Sequence, residues 1–269
     1  MPSEIILKME GICKSFPGVR ALHNVDFVLR KGEIHALMGE NGAGKSTLIK
    51  ILTGVYEKDA GQILLNGRPV NFKSPQDALK AGIGTVFQEI ALCPNLTVAE
   101  NMFIGRSRKA FVSWKEMNAK AEKILNSLSI PANPTQELAS CSIAVQQMIA
   151  IARAVDMDCK ILILDEPTSS LDEDEVQKLF ALMRELKARG VGIIFITHFI
   201  DQVYEISDRI TVLRNGELIG EYETAELPQL ELVSKMMGKA LSDVSAMKKQ
   251  EPSKTGTSTP VFEAKSLSS

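Results

Sequence analysis

A short glycine-rich stretch constrains this chain more than any other feature of its sequence. Residues 39–47 read Gly-Glu-Asn-Gly-Ala-Gly-Lys-Ser-Thr, which fits the pattern G-x-x-x-x-G-K-[ST]. Glycines let backbone N–H groups close around an anion, because no Cβ blocks positive φ or close approach. The apolar residues 34–38 before the stretch predict a buried strand, and residues 47–52 after it predict a helix that ends before Gly54. Strand, loop and helix in this order predict a phosphate-binding loop at a helix N-terminus.

Each member of this loop is a candidate nucleotide-binding residue. Lys45 is predicted to reach the β- and γ-phosphates of a nucleoside triphosphate, and the Ser46 hydroxyl is predicted to ligate Mg²⁺. The full candidate set is Gly39, Glu40, Asn41, Gly42, Ala43, Gly44, Lys45, Ser46 and Thr47.

Composition excludes several classes of protein. The 269 residues carry a formal net charge of -2, whereas a nucleic-acid-binding domain needs a basic stripe. The four cysteines lie far apart, without metal or disulfide spacing, which favours a reducing compartment. We expect no secretory signal, because the first ten residues lack a basic segment followed by an apolar run. The longest apolar runs are too short to cross a bilayer, so any membrane role is expected to come through a partner.

The order of elements predicts an α/β core. Strands are predicted at residues 5–10, 25–29, 34–38, 61–65, 161–164 and 193–197, and helices at 114–128, 142–155 and 173–189. Because strands and helices alternate in the second half, a parallel sheet is expected there. Residues about 95–155 are predicted to form an inserted helical subdomain.

The C-terminal part changes character. Residues 246–260 are rich in Lys, Ser, Thr and Pro, which predicts a linker. Residues 261–268 then repeat the polarity pattern of residues 6–13, so we interpret residues 261–269 as the start of a second, truncated cassette that begins with a copy of the first strand. A frayed tail is the alternative.

Two carboxylates stand at the C-terminal end of a second predicted buried strand. Asp165 and Glu166 follow the apolar run 161–164, and the carboxyl end of such a strand lies beside the phosphate loop in an open α/β sheet. Asp165 is predicted to hold Mg²⁺ through water, and Glu166 to orient or deprotonate the attacking water. His198 follows the strand at 193–197 in the same way, where a neutral imidazole could hydrogen-bond the γ-phosphate, although a lone histidine is more often structural than catalytic.

Together these elements resemble an ATP-binding cassette (ABC) ATPase, over about residues 4–240. The resemblance implies a P-loop ABC ATPase core in one domain, residues 1–245, with an N-terminal antiparallel β-subdomain and an inserted α-helical subdomain. Phe16 matches the aromatic residue that stacks on adenine, and Gln88 matches the glutamine that touches Mg²⁺ and water and senses the membrane partner. Ser170 and Asp172 match the D-loop, and His198 matches the catalytic histidine. Glu166, His198, Gln88 and Lys45 are the implied catalytic residues, and Ser46, Gln88 and Asp165 the implied metal ligands.

One motif departs from the family pattern. The family signature L-S-G-G-Q aligns with residues 141–145, Cys-Ser-Ile-Ala-Val. Ser142 can still cap the following helix and face a γ-phosphate, and Gln147 fits that helix. Side chains at Ile143 and Ala144 replace both glycines and are expected to hinder backbone approach to phosphate. In the family the signature acts on ATP bound by another cassette, so a pair would hold one competent and one impaired site.

Residues 92–105 look like the corresponding run in monosaccharide importers that carry two cassettes in one polypeptide. Residues 197–204, 213–216 and 226–229, with the altered signature, are most similar to ATPases of galactofuranose importers. The resemblance implies ATP and Mg²⁺ as cofactors, and a second cassette, an integral membrane permease and indirectly a periplasmic or extracellular sugar-binding protein as partners. It also implies a place at the cytoplasmic face of the inner membrane, and no nucleic acid.

Three other functions compete. A soluble ABC ATPase acting on DNA or ribosomes would need a long coiled-coil insertion or basic arms, which are not present. A P-loop kinase would lack the Gln88, Ser142 and His198 elements. A nucleotide-gated module without catalysis fits the altered signature, but the pair Asp165–Glu166 argues against it.

Overall fold

Two β-sheets organise the protein, as seen in a computed structural model that describes residues 4–87, 92–105 and 113–238. The strands are β1 (Ile5–Phe16), β2 (Val19–Arg30), β3 (Ile34–Met38), β4 (Ala60–Leu65), β5 (Arg68–Val70), β6 (Ile83–Val86), β7 (Ile161–Asp165), β8 (Gly192–Ile196), β9 (Arg209–Arg214) and β10 (Glu217–Glu223). The helices are α1 (Lys45–Leu52), α2 (Pro75–Lys80), α3 (Val98–Phe103), α4 (Trp114–Ser127), α5 (Ile143–Val155), α6 (Glu173–Ala188), α7 (Ile200–Ile206) and α8 (Gln229–Met237).

The smaller sheet is antiparallel, with strand order β2-β1-β4-β5. The larger sheet has the order β10-β9-β3-β8-β7-β6, and all its neighbouring pairs are parallel except β9 with β10. This is the predicted α/β class, with an antiparallel β-rich start. Because β3, β8, β7 and β6 are parallel neighbours, the residues that follow them meet along one edge of the sheet.

Continuous apolar sequence explains the central strands. Every residue of β3 and β8 is buried, as are the first four residues of β7. A parallel strand is covered by packed layers on both faces, so it needs apolar residues at every position rather than at alternate ones. One core lies between the two sheets and contains α1, and another packs α5 and α6 on the opposite face. The site at the strand ends therefore stands on rigid elements.

Element bounds differ from the predictions mainly at the N-terminal end. The first two strands are longer than predicted, because β1 and β2 form one hairpin around the turn at Pro17-Gly18 and continue through register shifts. Helix α1 begins at Lys45, two residues before the predicted start, so Lys45 and Ser46 belong to its first turn. Helices α3, α4 and α5 lie between β6 and β7, where helical residues were predicted.

Some predictions fall outside the described residues: Gln88, the linker 246–260 and the partial repeat 261–269. They stay predictions, as does the domain boundary at residue 245. Within the three described ranges, no helix combines the length and the apolar character needed to cross a bilayer.

Candidate functional site

The glycine-rich loop joins β3 to α1 with backbone conformations that favour glycine. Gly39, Gly42 and Gly44 have φ values of 150°, 83° and 107°. A Cβ on Gly39 would stand 2.3 Å from the carbonyl oxygen of Leu213, and one on Gly44 would stand 2.7 Å from Leu22 Cδ2. Both glycines are therefore required by space as well as by φ. The loop keeps the curvature that a phosphate cradle needs.

The first turn of α1 has no side-chain cap. Gly44 occupies the N-cap position, and the first turn contains no acidic residue. Its N–H groups therefore remain available to an external anion, which the helix dipole also favours. The Lys45 ammonium donates to the carbonyl oxygens of Gly39 at 2.6 Å and Glu40 at 3.1 Å, so it is held over the same loop.

A pocket of about 630 Å³ extends from this loop to Phe16. Its lining consists of Phe16, Val19, Arg20, Ala21, residues 41–47 and Asn215. The structure thus brings the predicted adenine-stacking residue and most of the predicted phosphate-binding residues into one pocket. An aromatic ring at one end and N–H donors at the other suit a ligand that carries a flat base and phosphates.

The acidic pair lies at the neighbouring strand end. Asp165 is the last residue of β7, and Glu166 follows it with φ of 50°, a left-handed conformation rare for a residue with a Cβ. The Glu166 N–H donates to the carbonyl of Ile196 at 2.9 Å, which ties this turn to the end of β8. Glu166 Oε2 and His198 Nδ1 are 2.8 Å apart. The structure therefore brings the proposed base and the histidine into direct contact.

Charges couple this pair to the loop. Burial raises the pKa of Asp165, while the nearby ammonium groups of Lys45 and Lys50 act in the opposite direction. Burial likewise lowers the pKa of Lys45, opposed by Glu166 and Asp165. Each group carries the sign opposite to that of its neighbour, so the lysine and the carboxylates lie within electrostatic reach of one another. Perturbed groups of this kind are common at functional sites.

The oxygen donors here suit Mg²⁺. A hydroxyl at Ser46 and a carboxylate at Asp165 are ligands that this cation accepts. Among the residues that the structure describes, no group of three or more His, Cys, Asp or Glu side chains could hold a metal ion. Mg²⁺ is usually bound by one or two carboxylates together with water and the phosphate oxygens of a nucleotide, and the donors at Ser46 and Asp165 fit that pattern.

The predicted signature residues are divided between surface and interior. Ser142 is exposed at the N-cap of α5, and its hydroxyl accepts a hydrogen bond from Val145 N at 3.4 Å. Ala144 and Gln147 are only 2% and 3% exposed, so their side chains pack inside this chain. Ile143, by contrast, is 50% exposed beside Ser142. The obstruction expected from both Ile143 and Ala144 side chains therefore falls on Ile143 alone.

The predicted D-loop residues follow β7 and lead into α6. Asp172 is the N-cap of α6, where it accepts a hydrogen bond from Glu175 N at 2.8 Å and forms a capping box with Glu175. Ser170 is exposed in the preceding turn. Asp172 thus has a clear structural task, and the D-loop role of both residues stays a prediction.

The pocket also contains residues that sequence reasoning missed, namely Val19, Arg20, Ala21 and Asn215. Asn215 has φ of 51° in the turn between β9 and β10, and the next N–H, of Gly216, donates to the carbonyl of Ala43 at 3.1 Å. The Asn-Gly pair signals a turn in the sequence. Its position against a loop about 170 residues earlier depends on the pairing of β3 with β9.

Comparison with known proteins agrees with this geometry. Residues 22–169 match the family described as ABC transporter. The chain is 56% identical over 238 residues to the galactofuranose transporter ATP-binding protein YtfR of Escherichia coli K12, which covers 88% of this chain and 48% of the relative. It is 48% identical over 267 residues to the fructose import ATP-binding protein FruK of Bifidobacterium longum, covering 97% and 52%. The chain thus spans about half the length of the curated relatives it matches.

Solved structures share the fold. The ADP conformation of MJ1267, an ATP-binding cassette of an ABC transporter, superposes with a TM-score of 0.76 at 26% identity, over 90% of this chain and 98% of that one. A nucleotide-free ATP-binding cassette gives 0.75 at 27% identity, over 90% and 98%. A sheet of this topology with a phosphate loop after β3 is therefore the architecture of an ATP-binding cassette.

Proposed function

The chain belongs to the ABC transporter family, and on that premise we propose that it binds and hydrolyses ATP to power the import of a monosaccharide through a membrane permease. Galactofuranose is the proposed sugar. The support is the 56% identity to a protein named for galactofuranose transport, against 50% and 48% to proteins named for ribose and fructose import.

One observation carries the ATPase part of the proposal. The phosphate loop after β3 and the pair Glu166–His198 after β7 and β8 lie at adjacent strand ends, with Glu166 Oε2 only 2.8 Å from His198 Nδ1. A loop alone would support binding. A loop with a carboxylate base and a histidine that orients it supports hydrolysis.

Binding is assigned to both ends of the pocket. Phe16 stacks on adenine, and N–H groups of residues 39–47 hold the phosphates. Lys45 leaves the carbonyls of Gly39 and Glu40 for the β- and γ-phosphate oxygens, a stronger partner because it is charged. Ser46, Asp165 and Gln88 would hold Mg²⁺, which neutralises charge on those oxygens when bound.

Hydrolysis is assigned to Glu166 and His198. The Glu166 carboxylate accepts a proton from the attacking water, and His198 fixes the orientation of that carboxylate through Nδ1. The other ring nitrogen of His198 is assigned to a hydrogen bond with the γ-phosphate. Most of the rate enhancement then comes from placing water, phosphate and charge in a fixed arrangement.

Two kinds of partner belong to the proposal. A second cassette would close over the nucleotide, with Ser142 of this chain facing the nucleotide of that cassette. A permease segment would dock in a groove of about 450 Å³, whose lining includes the half-exposed Phe87 and Ile104 together with Leu92 and Ala150. The exposed apolar side chains of Phe87 and Ile104 would be covered by that segment. The protein would then work at the cytoplasmic face of the membrane, with a sugar-binding protein acting from the other side.

The proposal is tested first on the purified protein. We expect Mg²⁺-dependent ATP binding by the wild type, and Glu166→Gln should bind ATP with unchanged affinity but hydrolyse it about 10²–10⁴-fold more slowly. Glu205→Gln on α7, an exposed acid that contacts Gln177, is the matched control. Normal turnover by Glu166→Gln would remove Glu166 as the base.

The sugar is tested in cells. Cells that lack the gene should lose uptake of labelled galactofuranose and regain it with the wild-type gene but not with Glu166→Gln. If the cells lose uptake of ribose or fructose instead, the proposed importer function stands and the proposed sugar is wrong.

A further inference from the structure

Phe16 has two neighbours that fix its ring. One is Tyr56, in a loop distant in sequence, and the other is Lys14, which the same loop holds through Asp59. This loop, residues 53–59, connects α1 to β4. The ring of Tyr56 meets the ring of Phe16 edge-on, with centroids 5.2 Å apart and planes at 69°. Lys14 Nζ lies 5.6 Å from the Phe16 ring centroid, and Asp59 Oδ1 accepts a hydrogen bond from it at 2.8 Å. Both contacts limit the orientations that Phe16 can adopt.

Hydrogen bonds to the backbone of β1 fix the position of this loop. Asp59 Oδ2 accepts a hydrogen bond from Ser15 N at 2.6 Å, and Asp59 N donates to the carbonyl of Cys13 at 2.9 Å. The loop is therefore pinned to the last residues of β1 on the approach to Phe16. The pocket lining includes Phe16 but not Tyr56, so the contact of Tyr56 with this pocket runs through the Phe16 ring.

The other side of Tyr56 is tied to the helix that begins at the phosphate loop. Tyr56 N and Val55 N donate to the carbonyl of Lys50 at 3.0 and 2.8 Å. Lys50 Nζ also lies 5.4 Å from the Tyr56 ring centroid, a cation–π distance. Tyr56 thus connects β1 in the antiparallel sheet to α1 in the core, which are the elements that carry the two ends of the pocket.

We propose that Tyr56 is a positioning residue for the nucleotide base: packed between Phe16 and Lys50, it fixes the stacking face of Phe16 at a set distance from the phosphate loop. This inference rests on the proposed ATP binding. A ring that is already oriented loses less freedom when a base stacks on it, so Tyr56 strengthens binding without touching the ligand.

The experiment compares a ligand with a base and one without. Affinities for Mg-ATP and for inorganic tripolyphosphate are measured by calorimetry in the wild type, Tyr56→Ala, Tyr56→Phe and Phe16→Ala. We expect Tyr56→Ala to weaken ATP roughly threefold to tenfold, the range of an aromatic pair, and to leave tripolyphosphate unchanged. Tyr56→Phe keeps the ring and should restore ATP affinity. At saturating ATP, Tyr56→Ala should hydrolyse at the wild-type rate, with only KM raised.

Two further variants sharpen the test. Tyr222→Ala is the matched control, because Tyr222 also has a lysine over its ring, Lys235 at 4.8 Å, but lies on β10 outside the pocket. The double variant Phe16→Ala/Tyr56→Ala should bind ATP no more weakly than Phe16→Ala alone, since Tyr56 acts through that ring.

Specific results would overturn the inference. They are an equal loss of tripolyphosphate affinity in Tyr56→Ala, full additivity with Phe16→Ala, or an ATP affinity of Tyr56→Ala equal to wild type. The last result, with ATP still bound and hydrolysed by the wild type, would leave the proposed function intact. Failure of the wild type to bind ATP would instead remove the proposed function itself.

Discussion

Two helices of this protein begin beside surfaces assigned to phosphate, and they begin in different ways. Helix α1 starts after Gly44, which has φ of 107° and offers no side-chain cap. Helix α5 starts after Ser142, whose extended backbone and hydroxyl cap Val145 N, and exposed Ile143 stands next to it. An uncapped helix start keeps its N–H groups for a ligand, whereas a capped one has already used part of them.

One chain can therefore carry a strong phosphate site at one helix start and a weak one at another. The start of α1 has no side-chain cap and leaves its N–H groups to an anion, with a half-buried lysine and two carboxylates close by. The start of α5 is built as an ordinary, stable helix terminus. We therefore expect this chain to bind ATP well at its own loop and to serve a partner cassette's nucleotide poorly. Four substitutions test this contrast between the two helix starts.

The largest effect is expected from Lys45→Ala. Removing an ammonium that reaches two phosphates costs about 1.5–3 kcal/mol for each charged hydrogen bond. ATP affinity should fall about 100-fold or more. Calorimetry with Mg-ATP measures it. Lys187→Ala, which removes an exposed ion pair with Asp208, is the control and should leave affinity unchanged. Affinity within threefold of wild type for Lys45→Ala would contradict the assignment of the loop.

The next effect tests the other helix directly. Two copies of this chain offer only the altered signature, so the purified chain is expected to hydrolyse ATP slowly. The variant Ile143→Gly should raise turnover about tenfold, because it removes the exposed side chain that obstructs phosphate, and an N–H donor aimed at a developing charge is worth at least that much. Phosphate release at increasing protein concentration measures it, since a paired site needs two copies. Fast, concentration-dependent turnover by the unaltered chain would break the comparison.

The third substitution tests whether Asp165, beside the start of α1, is present for ligand binding rather than for stability. Burial raises the pKa of Asp165 from its ordinary value, so the native state favours its neutral form. Ionised Asp165 then counts against folding at neutral pH, and Asp165→Asn should raise the Tm of the nucleotide-free protein. The gain in Tm should disappear as pH falls below about 4, where Asp165 is protonated in both the folded and the unfolded wild type.

Thermal unfolding at several pH values measures this gain. Exposed Asp201→Asn, which alters a contact with Gln229, is the control and should change little. A lower Tm for Asp165→Asn at pH 7.5 would show that Asp165 is there for stability rather than for ligand.

The smallest effect is expected at Ser142. Its cap bond is long, at 3.4 Å, so Ser142→Ala should cost roughly 0.5–1 kcal/mol and a few degrees of Tm. Ser142→Asn keeps a capping side chain and should restore most of that loss. ATP affinity of the chain alone should be the same in all three proteins. A weakened affinity in Ser142→Ala would place this helix start near the chain's own nucleotide and contradict the comparison.

Local sequence predicted the parts of the fold that depend on neighbouring residues. Strand β3 and the central segments of β7 and β8 were predictable, because continuous apolar runs between turn signals have few other solutions. Helix α6 was predictable from its period and from Gly190 at its end. The strands β5, β6, β9 and β10 and the helices α2, α3, α7 and α8 were not predicted, because each is short and lacks a continuous apolar run or a long periodic pattern.

The residues of the candidate site also fall into two groups, those contiguous in sequence and those brought together by the fold. Nine consecutive loop residues and the Asp165–Glu166 pair were predictable because each group is contiguous in the chain and its chemistry follows from residue type. The contact between Glu166 and His198, 32 residues apart, depends on the parallel pairing of β7 with β8. Likewise Asn215 and Tyr56 gain their roles from strands and loops that meet only in the folded chain.

A phosphate loop, two acids and a histidine that follow separate buried strands could be read from the residues alone, because backbone freedom at glycine and apolar runs are local properties. The sheet order that places these strand ends side by side, and the exposure of Ile143 rather than Ala144, came from the folded chain. Those outcomes depend on which surfaces pack together, and packing is a property of residues distant in the chain.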